Sequence, residues 1–212
     1  MRLLCHAAIL AAALAACSGP TGHYDPGDVA VIDPAGACTI GPPDLAGAER
    51  LGPMYGRNGC KITDPWRLTA IANVHLSVPA TLTCGIVSPL RGWLNEIVQP
   101  AAVRAFGERV VSVDVEASYA CRTRNSNAGA KMSEHAYGRA IDISAFTLAS
   151  GRKVTVAAGW HGNARERAFL REVHDKACGR FSTVLGPASD YYHRDHLHLD
   201  IEARKSSKSF CR

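Results

Sequence analysis

Hydrophobic and polar positions alternate in two distinct rhythms along this chain. Leu90, Trp93, Leu94, Ile97 and Val98 recur at helical spacing and predict one buried stripe. Ser88-Pro89 supplies a hydroxyl cap and a proline suited to the first helical turn, so the helix is expected to start there and to kink or end at Pro100. Asn163 to Cys178 reads as a second helix, capped by Asn163, with Leu170, Val173 and Ala177 on one face. Elsewhere the period is two. Val111, Val113, Val115, Ala117 and Tyr119 alternate with Ser112, Asp114, Glu116 and Ser118. Lys153–Ala158, Thr183–Leu185 and His196–Ala203 are further expected strands. Leu51–Cys84 is cut by Pro53, Pro65 and Pro79 and is left unassigned. These elements predict an α+β fold, a small and mostly antiparallel sheet flanked by helices.

The N-terminal stretch follows neither rhythm. Arg2 precedes an apolar run, Leu3–Ala13, that is too short for a permanent membrane span. It ends in Leu14-Ala15-Ala16-Cys17, which resembles a bacterial lipobox; an ordinary secretory signal is the alternative. The expected organisation is a signal peptide over 1–16, a Gly/Pro-rich tether over 17–43 and a folded domain over 44–212. A lipid on Cys17 would anchor the chain to the cell envelope without spanning it. Ser18 lacks the aspartate associated with inner-membrane retention, which points to the outer membrane.

The formal net charge is +5, of which Arg2 accounts for one. Without a Lys/Arg block, this mild excess argues against nucleic acid and fits an anionic wall. The basic C-terminal ARKSSKSFCR reads as a solvated tail. Once Cys5 and Cys17 are set aside, Cys38, Cys60, Cys84, Cys121, Cys178 and Cys211 remain, widely spaced and with no CxxC pair. In an oxidising compartment they predict three disulfides, with 15 connectivities open.

Two short strands carry the chemistry. In AIDIS, Asp142 lies on the face opposite Ile141 and Ile143; in HLHLDI, His196, His198 and Asp200 oppose Leu197, Leu199 and Ile201. If these strands are neighbours, Asp142 meets His198, and Gly138 lets His135 fold back over both. Two imidazoles and one carboxylate make a zinc site with a fourth position open to water. Three unrelated polar residues on solvated faces are the plainer explanation, but a core strand gains nothing from histidines alternating with leucines.

Ser133-x-His135-x-x-Gly138-x-Ala140-x-Asp142 matches the SxHxxGxAxD motif of LAS-type zinc peptidases, which include D-alanyl-D-alanine carboxypeptidases and the penicillin-insensitive murein endopeptidase. His196-x-His198 matches their HxH motif. SYACRTRN, FLREVHDKACGRF, TVLGP and HRDHLHLDI, taken with these motifs, resemble the bacterial extensin-like C-terminal domain family over roughly Gly41–Cys211. The resemblance implies a LAS-like fold with Zn2+ held by His135, Asp142 and His198. It implies a substrate-binding Arg122, with Arg124 as the nearby alternative, and a loop-orienting Ser133. Asp195 stands where many relatives carry glutamate, so Asp195 and His196 are both candidates for acid/base work. Tyr191 and Tyr192 could wall a groove or pack in the core; His161 reads as a surface-turn histidine, with cleft lining as the alternative, His174 reads as a helix histidine, and His75 is unassigned.

The expected function is hydrolysis of peptidoglycan peptides by a monomeric, zinc-dependent peptidase of the periplasm and cell envelope. The alternative is a non-catalytic zinc domain that binds wall peptides or a partner protein.

Overall fold

The computed structural model describes residues 47–204 and 208–212. The expected signal peptide, Cys17, the tether and Cys38 lie outside them. The unassigned proline-cut stretch becomes a long hairpin, β4 (Pro65–Ile71) and β5 (Val74–Thr83), preceded by three two-residue strands, β1 (Glu49–Arg50), β2 (Met54–Tyr55) and β3 (Lys61–Ile62). Ala72 and Asn73 form the two-residue turn of this hairpin, both at positive φ (53° and 60°), as the twist of flanking strands favours. Pro79 falls where the register of β4 against β5 shifts, so its missing N–H breaks no ladder.

A continuous helical stretch follows: α1 (Cys84–Trp93), a π-helical turn over Leu94–Val98, and α2 (Gln99–Phe106). The helix therefore starts four residues before Ser88. Ile86 and Val87 are buried and extend the apolar stripe backwards, so core packing sets the start. Pro100 neither ends nor splits it, because the π turn lies just before it.

The next strand, β6 (Val110–Ala117), is irregular against β7 (Ala140–Leu148). Val111 is exposed rather than inward, while Val110 is buried with both backbone groups bonded to the Gln99 amide (2.8 and 3.0 Å). β8 stops at Thr155 (Lys153–Thr155), where the Thr155 hydroxyl accepts the Ala158 N–H and caps a short helix, α3 (Val156–Gly159). α4 (Ala164–Asp175) has the expected Asn163 cap, whose carbonyl accepts from Arg165 and Glu166. β9 (Thr183–Leu185), β10 (Leu197–Asp200) and β11 (Phe210–Cys211) complete the chain. β10 is shorter than expected, so His196 precedes it. The C-terminal segment is not wholly a solvated tail, since β11 pairs with β9.

The main sheet runs β1-β4-β5-β6-β7-β10-β9-β11, with β8 also on β7. It is mixed: β5–β6 and β9–β11 are parallel. The helical stretch between β5 and β6 is the crossover that a parallel pair needs. One face buries Ile141, Ile143, Leu197 and Leu199 under the helices. Trp93, wholly buried, anchors this layer against Phe146 and Phe181 and donates its indole N–H to the Val173 carbonyl (2.9 Å). Because strand residues alternate, Asp142 and His198 must emerge on the other face.

Cys60–Cys121 and Cys178–Cys211 are disulfides, and Cys84 is disulfide-bonded as well. No helix among the described residues is long and apolar enough to cross a membrane.

Candidate metal centre

β7 and β10 are antiparallel neighbours, with His198 directly opposite Asp142. On the other side of β7, Ala117 pairs with Asp142, and its small side chain leaves the face open. His135 arrives from a 3-10 turn, Glu134–Tyr137. The Ser133 hydroxyl accepts the His135 N–H at the start of that turn, and Gly138 ends it at φ 63°. A side chain at Gly138 would meet Ile62 Cδ1 at 2.6 Å and the Thr83 nitrogen at 3.0 Å. Gly138→Ala is therefore expected to destabilise the fold by about 2 kcal/mol or more, measured by urea denaturation.

The three side chains converge. His198 Nδ1 is 2.8 Å from Asp142 Oδ1, His135 Nε2 is 3.1 Å from Asp142 Oδ2, and the two ring nitrogens are 3.2 Å apart. All three residues are buried. The outward ring nitrogens are already committed: His135 Nδ1–H donates to the Ser118 carbonyl (2.5 Å) and His198 Nε2–H to Asp200 Oδ2 (3.2 Å). Both partners only accept, so the tautomers are fixed and the inner nitrogens present lone pairs. Two lone pairs and a carboxylate then face one point, and acceptors so close require a cation between them. The edges of 2.8–3.2 Å approach the ~3.3 Å implied by tetrahedral bonds of about 2.0–2.1 Å. Outer hydrogen bonds of this kind are what orients metal-ligating histidines. The residues thus fit a metal ion.

In the metal-free protein a proton supplies that charge. Burial opposes it, but hydrogen bonds to Asp142 and Asp200 prevail and push His198 up to about 9. Burial also works against the Asp142 carboxylate, yet the facing imidazoles of His135 and His198 hold it well below the usual range. The His198 contribution to stability is complete below 6.5, the unfolded value, and is lost as pH rises through about 9. The Asp142 contribution is complete above 3.8 and is lost on acidification. With a chelator present, stability is expected to peak between about pH 4 and 6.5 and to fall towards pH 9, by urea denaturation across pH. Metal binding should show the opposite trend and weaken on acidification, because its ligands must lose their protons.

The centre opens into a cleft of about 360 Å³ that Arg122, Ser133, Tyr192, His193 and His196 help to line. Arg122 brings Nη2 to 3.9 Å from Asp142 Oδ2, and its guanidinium makes no hydrogen bond among the described residues. Arg124 is instead paired with Glu202. His196 donates Nδ1–H to Asp195 Oδ1 (3.0 Å) and turns Nε2 towards the centre, 3.7 Å from Asp142 Oδ1. Asp195 stands behind His196 and does not line the cleft. Tyr191 is exposed outside the cleft, His161 lies on the surface and His75 on an exposed strand position. His174 is buried and bonded to Asp175 and the Arg212 carbonyl.

Three contributors escaped the sequence reading. Asp200, two residues past His198 on the same strand face, was legible from HLHLD. The Ser118 carbonyl carries no side-chain signature. His193 is buried beside His196 (ring centroids 5.3 Å) and hydrogen-bonded to Asp190 (2.8 Å). Burial lowers its pKa more than Asp190 raises it.

A family model described as extensin-like protein C-terminus matches residues 45–212. No curated protein and no solved structure matches the chain.

Proposed function

We propose that this chain, which belongs to the extensin-like protein C-terminus family, is a zinc-dependent peptidase acting on peptidoglycan peptides in the bacterial envelope. The supporting observation is the triangle of His135, Asp142 and His198, with its outward protons already spent and its inner side open to a cleft. Two imidazoles and a carboxylate are a catalytic zinc donor set, and SxHxxGxAxD with HxH is the LAS-type arrangement of it. Zinc held there would supply a nucleophile from water at neutral pH and polarise a scissile carbonyl.

The chain's own groups complete the chemistry. The Arg122 guanidinium, which makes no hydrogen bond among the described residues, is a fork for the substrate's carboxylate. His196 is the acid/base: Asp195 fixes its tautomer, so Nε2 presents a lone pair to the centre and can take a proton and return it. Asp195 is one methylene shorter than the glutamate of many relatives, and its role here passes to positioning. One chain supplies every side chain of the site, so a monomer suffices. The lipobox-like Cys17 and the signal-like N-terminus support delivery to the periplasm and an outer-membrane anchor.

Purified protein supplied with zinc and incubated with peptidoglycan sacculi is expected to release stem-peptide fragments that mass spectrometry resolves. Zinc binding without release of any fragment would favour a non-catalytic wall-binding domain. A folded protein that takes up no zinc would remove both readings.

A further inference from the structure

His135 is gripped by one short segment at both ends. The Ser118 carbonyl accepts its Nδ1–H, and the Ala120 N–H donates to its own carbonyl (3.2 Å). The next residue, Cys121, is disulfide-bonded to Cys60 (Cα–Cα 5.6 Å), and the one after that is Arg122. Cys60 leads into β3, which pairs with β2 in a two-stranded sheet separate from the main one. On β3, buried Ile62 lies against Gly138, the residue that ends the His135 turn. This small hairpin therefore touches the chain on both sides of His135, through a covalent bond at Cys121 and through packing at Gly138. It adds no group to the cleft.

We propose that the Cys60–Cys121 disulfide is a positioning element of the metal centre, and that opening it weakens metal binding without unfolding the protein. The proposal rests on the metal-site reading above. Its physical basis is that 118–122 leaves the regular sheet at Ala117, so Ser118 is held in place by its neighbours rather than by a full ladder. Freed at Cys121, the segment gains conformations in which the Ser118 carbonyl no longer orients His135. Cys121 is exposed, so an external dithiol can reach it. One reagent thiolate attacks the Cys121 sulfur and displaces the Cys60 thiolate, which takes a proton. The second reagent thiol then closes the reagent's own disulfide and releases Cys121 as a thiol. Two electrons pass from the dithiol to the cysteine pair.

The test compares the full chain with C60S/C121S and with C178S/C211S, which opens the disulfide on β11, two strands from His198 and outside the 118–122 segment. Zinc dissociation constants come from competition with a chelating dye, and folding is checked by near-UV circular dichroism. C60S/C121S is expected to bind zinc ~10–100-fold more weakly, the usual effect of losing an outer partner, while C178S/C211S binds as the parent does. A folded C60S/C121S that binds zinc as tightly as the parent overturns the proposal. Should that variant fail to fold, the parent reduced under native conditions and alkylated at Cys60 and Cys121 takes its place, with hydrogen exchange read at the Ala120 amide. Faster exchange of that amide supports the brace, and unchanged protection overturns it. If the parent itself binds no zinc, the metal reading fails, and the exchange result alone decides on the brace.

Discussion

Asp142→Asn is expected to lose zinc while keeping its stability, whereas Asp142→Ala is expected to lose zinc and several kcal/mol of stability. The carboxylate is one of the three donors we propose, so either change should weaken zinc binding by more than the ~100-fold that follows loss of an outer partner. The two variants differ in the metal-free state. Asparagine retains an oxygen that can accept from His198, whereas alanine leaves the buried imidazoles of His135 and His198 without their central partner. Removing one member of a buried, hydrogen-bonded charge pair costs about 3–5 kcal/mol, so the alanine variant should unfold at markedly lower urea. An NMR titration should also find His198 shifted down from about 9, since Asp142 is the first of the partners raising it. Parent-like zinc affinity in Asp142→Asn would sink the assignment of the centre.

His196→Ala is expected to separate chemistry from metal binding. His196 Nε2 stands 3.7 Å from the shared carboxylate and faces the same cleft, but it is not part of the cluster formed by His135, Asp142 and His198. Loss of a positioned acid/base group typically costs ~10²–10⁴ in rate, so hydrolysis of sacculi should fall by that range with zinc affinity unchanged. Asp195→Asn should give a smaller loss, because the imidazole remains and only its tautomer is released. Fragment release by His196→Ala at the parent rate would move proton transfer elsewhere, with buried His193 the adjacent imidazole.

How much of this was legible beforehand follows from the range of each signal. The AIDIS and HLHLDI alternations put Asp142 and His198 on polar faces, and the strands proved to be neighbours in the register that pairs them. The His135 turn was announced by Gly138, which adopts the left-handed conformation expected of it. The hairpin of β4 and β5 was missed because prolines masked it: Pro65 opens a strand and Pro79 sits at a register shift, the two places a strand tolerates proline. The helix start was misplaced because Ser88-Pro89 is a strong local signal that burial of Ile86 and Val87 overrides.

Taken alone, the sequence determined which residue types face which way, because strand and helix periods are local properties of covalent geometry. It thereby marked Asp142 and His198 as members of polar strand faces, with His135 folded back over them at Gly138, and Trp93 as core. Only the tertiary structure decided what stands around them: the Ser118 carbonyl on the outward nitrogen of His135, and Cys60 bonded to Cys121. Those partners come from segments far apart in the chain, and a backbone carbonyl is chemically the same at every position. Only folding can select one of them.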